Sequence, residues 1–381
     1  MSKPYAAILG GAAGLTIIAV FIILWFCKSH CKNCPNGNSE TASSGPSAQV
    51  EWNKGGRSSS EPTCPLFGSQ GARKFTIEEL EQATKQFTDS SLIGYGSFGS
   101  VYKGLLQDTV VAIKRRTSAP RDDFVTEVVY LSEIRHRNLV SLLGYCQERG
   151  EQMLVFEYLP NGSMCNHLYD MKLESSTTLE FKLRLSIALG AAKGLCHLHS
   201  LNPPLVHKNF KMANVLVDEN FIVKVSDAGI SKLLEKIEEA GPSYTSDINI
   251  FQDPETGVSG TFTEMSDVYS FGVFLLELIT GQEAAELGFV GVEGSLIQWV
   301  ASRLNSNNFV DPRLMGNFTT DGIRNLIRLT LRCMTFPGIG RPKMQMVVDE
   351  LERIHEKEMA LTTVMGESTA TFIKGSELFT S

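Results

Sequence analysis

The stretch from Ile93 to Lys114 constrains this chain most. It carries glycines at 94, 96 and 99, then Val101-Tyr102-Lys103-Gly104, and closes on the apolar run Val110-Val111-Ala112-Ile113 before Lys114. Glycines at G-x-G-x-x-G spacing are a weak signal alone, because a dinucleotide-binding turn needs a helix directly after them. β-Branched and aromatic residues follow here, so the glycines lead into strands. Strand alternation puts Ala112 and Lys114 on one face. The small side chain leaves room for a flat ring, and the lysine reaches toward phosphates. A lone surface lysine is the competing reading, and the glycine-rich stretch ahead of it argues against that.

Two further segments belong with this one. Residues Arg121 to Arg135 place Phe124, Val128 and Leu131 four and three apart, the apolar stripe of a packed helix, with Glu127 on its edge. A carboxylate half-buried among apolar residues needs a partner, and Lys114 is the obvious one. Met153-Leu154-Val155-Phe156-Glu157-Tyr158-Leu159 is an apolar strand running into Pro160-Asn161-Gly162, a turn.

The stretch Leu205 to Asn214 reads L-V-H-K-N-F-K-M-A-N. Its spacing resembles the catalytic loop of protein kinases, H-R-D-L-K-x-x-N. Together with Val110 to Lys114, Phe75 to Leu80, His136-Arg137-Asn138-Leu139-Val140 and Ser266-Asp267-Val268-Tyr269-Ser270-Phe271-Gly272, it identifies residues 75–355 as similar to plant receptor-like kinases of the Pelle/interleukin-receptor-associated type.

That resemblance implies an α+β, two-lobed protein kinase fold, a small β-rich lobe ahead of a large helical one, with ATP and Mg²⁺ in the cleft between. It implies that Ile93, Gly94, Gly96, Ser97, Gly99, Val101, Ala112, Lys114 and Phe156 contact the nucleotide, and that backbone groups from Glu157 to Leu159 bind adenine. Phe156 takes the gatekeeper position. Lys114 pairs with Glu127, Asn214 and Asp227 hold the metal, and Lys211 is the lysine of serine/threonine-directed members. Asp267 braces the catalytic loop, and Arg341 pairs with Glu255.

Four residues depart from the family pattern. Asn209 stands where the family has the proton-accepting Asp, and a carboxamide has no basic lone pair. Lys208 replaces an Arg and lacks its bidentate fork for a phosphorylated segment. Ala228 replaces the aromatic of D-F-G. Losing about 100 Å² of apolar contact there weakens the active arrangement by about 2–3 kcal/mol at 25 cal/mol per Å². The helix bearing Glu127 is then looser, unless a nucleotide or partner holds it. Ile248 stands where Thr shapes the substrate platform, and Ser243, Tyr244 and Thr245 are candidate phosphosites.

Ahead of the kinase-like region, Tyr5 to Cys27 carries no charge. About 23 residues at 1.5 Å each reach about 35 Å, enough for a bilayer core. A cleaved signal peptide is the rival, but lysines rather than a small-residue cleavage site follow. The layout expected is a short outer N-terminus (1–4), a single transmembrane helix (5–27), a disordered juxtamembrane tether (28–74), the kinase-like domain (75–355) and a flexible tail (356–381), anchored once in the plasma membrane with the domain cytoplasmic. Gly10 and Gly14 form a G-x-x-x-G that could let two such helices dimerise. Cys31 and Cys34 form a C-x-x-C for which palmitoylation beside the span is preferred to a metal knuckle. The remaining cysteines show no disulfide framework.

A net charge of −7 leaves no basic footprint for nucleic acid. The partners expected are other membrane receptor-like kinases or cytoplasmic signalling proteins. The four departures cluster in the catalytic machinery, while the glycines, Lys114, Glu127, Asn214 and Asp227 are retained. The sequence therefore reads as an ATP-binding pseudokinase acting through protein interaction, with a slow serine/threonine kinase as the alternative. A bare membrane adaptor has no motif to support it.

Overall fold

The computed structural model describes residues 71–118, 120–169, 179–237, 250–287, 310–314 and 318–376. The expected span at 5–27, the tether up to residue 70, the cysteines at 27, 31, 34 and 64, and the segment holding Ser243, Tyr244, Thr245 and Ile248 lie outside them. Among the described residues no helix is long and apolar enough to cross a membrane.

The small lobe is a six-stranded sheet in the order β1-β5-β6-β4-β3-β2. Its strands are β1 (Arg73–Lys74), β2 (Leu92–Gly96), β3 (Gly99–Leu106), β4 (Thr109–Thr117), β5 (Leu142–Glu148) and β6 (Glu151–Glu157). All pairings are antiparallel except β1 on β5, which is parallel. That pairing depends on Gly144, where a Cβ would stand 2.2 Å from the carbonyl of Arg73 and 2.5 Å from the ring of Phe75.

Helix α1 (Ile77–Ala83) starts on a capping box in which Thr76 and Glu79 satisfy each other's backbone N–H groups. Its Ile77 and Leu80 join Phe75, Val111, Ile113 and Val155 in a core on one sheet face. Helix α2 (Asp122–Glu133) lies on the other face and buries the predicted stripe of Phe124, Val128 and Leu131.

The large lobe is built on helices α3 (Met164–Tyr169), α4 (Phe181–Ser200), α5 (Ile230–Ile237), α6 (Pro254–Ser259), α7 (Glu264–Thr280), α8 (Thr320–Cys333) and α9 (Met344–Ser376), with a two-stranded sheet of β7 (Val215–Val217) and β8 (Val223–Val225). α7 is buried from Ser266 to Thr280, as its apolar run predicts. Its cap is Thr263, whose N–H donates at 3.1 Å to Ser266 Oγ inside the first turn. Where the sequence suggests a tail after residue 355, the backbone continues as helix to Ser376.

The core face of α4 includes Arg184, 2% exposed, which sequence patterning does not reveal. It is held by Asp311 at 2.6 Å and by the carbonyls of Leu179 and Leu278. Arg341 likewise pairs with a different acid from the one the family pattern implies. Its guanidinium grips Asp253 Oδ2 at 2.5 Å and Oδ1 at 2.9 Å. Asp253 caps α6 and so faces inward, whereas Glu255, inside the helix, reaches the Gly338 N–H at 2.6 Å.

Candidate functional site

The site is built where β2, β3, β4 and β6 overhang the loop before β7. β4 delivers Ala112 and Lys114 to the cleft on one strand face, as alternation requires. β6 delivers Phe156, after which the chain leaves the sheet through Glu157, Tyr158 and Leu159. These residues, with Ile93, Gly94, Gly96, Ser97 and Val101 above and Asn209, Lys211, Asn214 and Asp227 below, line a cavity of about 520 Å³. That volume is in the range of small-molecule and cofactor sites.

Two expected residues are not brought to this lining. Gly99 turns away with φ +139°, and a Cβ there would meet the Arg115 carbonyl at 2.2 Å, so its role is to let the hairpin turn. Glu127 is the second. Sequence reasoning also missed Leu216 of β7 and Asn166 of α3, which line the cavity as well. The alternation of β7 marks Leu216 as the residue facing away from buried Val215 and Val217, a signal that was available.

Glu157 illustrates how the wall is fixed. Its carboxylate turns outward to Lys224, at 2.9 and 2.7 Å, and accepts the Ser141 N–H. Its own N–H donates to the Ser141 carbonyl at 3.1 Å. The Glu157 carbonyl is therefore the backbone group of that residue left for a ligand.

The loop before β7 is braced as the family pattern implies. Asp267 of α7 accepts the N–H groups of His207 at 2.7 Å and Lys208 at 2.9 Å, and the His199 ring at 2.9 Å. Lys208 sits at φ +65°, a left-handed conformation uncommon for a non-glycine residue, and these bonds pin it there. His207 Nε2 meets the Ser226 carbonyl at 2.8 Å, joining this loop to the segment that carries Asp227. Asn214 Nδ2 donates to the Asn209 carbonyl at 2.8 Å, fixing Asn209 at the cleft floor.

The charges pair differently from expectation. Lys114 pairs with Asp227 rather than with Glu127. Glu127, 3% exposed, pairs with Lys232 of α5 at 3.0 Å. The reason is local: α5 begins three residues after Asp227 and packs on α2, which brings Lys232 to Glu127. Lys208 pairs with Glu235 of the same helix at 2.5 Å.

The missing aromatic costs less packing than its area suggests. Ala228 lies beside a void of only about 20 Å³, walled by Leu131, Ile134, Leu139, Val140, Phe156 and Ile230. Ile230, 1% exposed, lines the same void. At about 24 cal/mol per Å³ the residual void costs about 0.5 kcal/mol.

Fold and site together define a two-lobed domain of the protein kinase class, with a cavity between its lobes. The family profile for protein tyrosine and serine/threonine kinases matches residues 87–351, and the chain belongs to that family. Within it the chain resembles receptor-like kinases. It is 35% identical over 335 residues to a probable receptor-like protein kinase of Arabidopsis thaliana, covering 82% of this chain and 37% of that protein. It is 39% identical over 298 residues to the probable serine/threonine-protein kinase PBL22 of the same plant, covering 74% of this chain and 77% of the relative. The chain spans between a third and about two fifths of the receptor-like kinases it first matches. Among solved structures, the pseudokinase domain of BIR2, an immune regulator of the RLK/Pelle family, superposes with a TM-score of 0.61. The two are 30% identical, over 74% of this chain and 86% of that one.

Proposed function

We propose that this chain is a membrane-anchored receptor-like kinase homologue that binds ATP with Mg²⁺ and signals through protein interaction, with little or no phosphotransfer. The observation that carries this reading is the floor of the cleft. Lys114, Asn214 and Asp227 line it beside Asn209, a group that cannot take a proton.

The donor set fits a magnesium-bound nucleotide. Asp227 and Asn214 supply the hard oxygen ligands that Mg²⁺ accepts, and the metal would neutralise phosphate charge. Lys114 would move from Asp227 toward the phosphates. The Glu157 carbonyl and the Leu159 backbone are the groups for adenine. Residues 5–27 supply the anchor in the plasma membrane, and the partners are other membrane receptor-like kinases or cytoplasmic signalling proteins.

A slow serine/threonine kinase is the second reading, because Lys211 lines the cleft with the other groups. Phosphoryl transfer depends mainly on positioning and charge neutralisation, and loss of a general base costs around 10²–10⁴-fold. Phosphate transfer from ATP by the purified chain, beside Asn209→Asp and Lys114→Met, separates the two. Wild type equal to Lys114→Met is the expected result. Labelling well above that control overturns the pseudokinase reading, and no thermal shift with ATP and Mg²⁺ removes nucleotide binding from both.

A further inference from the structure

The outer side of α8 and the turn that follows it form a surface far in sequence from the residues of the cleft. α8 buries Ile323, Leu326, Ile327 and Cys333 against the core, which leaves Arg324, Arg328 and Arg332 exposed on the other side. Four residues of helix advance about 6 Å and come round to within about 40° of the same direction, so the three arginines make one row. Arg324 shares its charge with Asp321 at 3.2 Å, whereas Arg328 meets the neutral Asn325 amide at 3.4 Å. Glu350, the acid whose titration Arg332 influences, is already held by Arg353 at 2.5 Å. The whole chain carries −7, so the row opposes the sign of the rest. Beyond Cys333 the chain turns, pinned from within. The Arg341 side chain donates to the Thr335 carbonyl at 2.9 Å, and the Gly338 N–H reaches Glu255 at 2.6 Å. A Cβ at Gly338 would stand 2.8 Å from Glu255 Oε2, so this residue packs inward. Phe336 and Ile339 point outward instead, 68% and 92% exposed. Each lies four residues from an exposed cation, Phe336 from Arg332 and Ile339 from Lys343. Large apolar side chains held out beside cations mark an interaction surface.

We propose that the arginine row of α8 and the turn at 335–340 form a docking surface for an anionic lipid bilayer, against which the large lobe lies. Cations beside apolar tips suit the headgroup level: the guanidinium groups meet lipid phosphates and carboxylates, and Phe336 and Ile339 enter the acyl boundary. The cytoplasmic leaflet carries the negative potential that such a row needs. Chain length favours the bilayer over a free protein partner. Residues 28–70, between the proposed span and the small lobe, reach up to about 140 Å when extended. The row therefore meets the membrane at a high effective concentration, and weak contacts suffice. The inference goes beyond the membrane-anchored reading and takes from it only this proximity.

The test reconstitutes the full chain with vesicles of phosphatidylcholine alone or of phosphatidylcholine with phosphatidylserine, and reads amide hydrogen exchange across residues 335–340. Exchange should slow only with phosphatidylserine, and the slowing should fade as salt is raised. A cation near an anionic surface is worth about fivefold in the contact equilibrium, so Arg328→Gln with Arg332→Gln should lower the docked-to-free ratio by about 25-fold. Phe336→Ser with Ile339→Ser should lower it as well, and both pairs are exposed, so these variants should melt with wild type. Equal exchange in the two vesicles overturns the docking surface, as does slowing that the double Gln variant keeps. Slowing in detergent micelles without lipid, growing with protein concentration, assigns the patch to a second copy and also overturns it. Slowing by polyglutamate but not by phosphatidylserine vesicles assigns it to an acidic protein, with the same consequence. Flotation with the vesicles after an alkaline wash reads the anchor separately. A chain that fails to float removes the membrane span, and its exchange with added phosphatidylserine vesicles still decides the docking.

Discussion

Replacing Arg341 with Met tests the large lobe at its most demanding ion pair. The guanidinium and the Asp253 carboxylate are 1% and 2% exposed at their side chains. Besides the two bonds to Asp253, Arg341 donates to the carbonyls of Met265 at 2.8 Å and Thr335 at 2.9 Å. Its guanidinium lies 5.2 Å from the Tyr269 ring centroid. The Met variant leaves a buried carboxylate and two carbonyls without this partner. Breaking a buried pair from one side costs about 3–5 kcal/mol, because the remaining charge stays desolvated. At about 2–4 °C per kcal/mol, the melting temperature should fall by roughly 6–20 °C.

Asp253→Asn should cost a similar amount, since Asn retains the cap onto the Glu255 N–H but strands the guanidinium. Glu255→Gln keeps an acceptor for the Gly338 N–H and should lower the melting temperature by no more than about 2–4 °C, the equivalent of about 1 kcal/mol. The double variant Asp253→Asn with Arg341→Met should be less destabilised than the sum of the singles. Thermal melts of the four proteins at pH 7 decide the matter. If Glu255→Gln costs as much as Asp253→Asn, the assignment of Arg341 to Asp253 is wrong.

Glu277 of α7 is 2% exposed, and burial pushes its carboxyl up to about 7 despite the hydrogen bond from the Ala284 N–H. Its folded pKa lies above its unfolded value, so the native state binds the extra proton between about pH 4.5 and 7, and stability falls as pH rises through that window. Glu277→Gln should remove this slope and gain on wild type by about 3 kcal/mol between pH 4.5 and 7.5, read from urea melts across the range. A wild-type slope unchanged in the variant contradicts the assignment. Ala228→Phe cannot fit a void of about 20 Å³ and should expel Ile230, raising the proteolytic sensitivity of α5 and costing about 1–3 kcal/mol. A variant as protease-resistant as wild type would mean that Ile230 does not occupy that space.

The cleft walls were legible because their signals are local. The glycines read together with the β-branched and aromatic residues that follow them, the alternation of Ala112 with Lys114, and the Pro/Gly turn after Leu159 each specify a strand or turn from neighbouring residues. The bracing role of Asp267 came from the family resemblance, and the structure bears it out through the His207 and Lys208 N–H groups. The ion pairs were less legible, because partner choice among several acids and bases is decided by a few ångströms of packing. Lys114 lies on its strand and Glu127 on its helix as expected, yet each meets a different partner: Lys114 meets Asp227, and α5, seated by Ile230 and Leu233, brings Lys232 to Glu127. Arg184 was missed for a related reason: in a helical stripe a buried arginine looks like a surface residue until Asp311 is placed opposite it.

The parallel pairing of β1 on β5 has a mechanical consequence. Phase and direction of loading follow from how the chain enters the fold, and it enters through two strand residues and the Phe75 N–H bonded to the Tyr145 carbonyl at 2.8 Å. Phe75 is then locked at 1% exposure against Gly144. Tension arriving along the chain from before residue 71 pulls along β5 rather than peeling β1 away, so its hydrogen bonds share the load in shear. The force therefore reaches β5 and its neighbour β6, the strand that carries Phe156 and Glu157 to the cleft, before it reaches any helix of the large lobe.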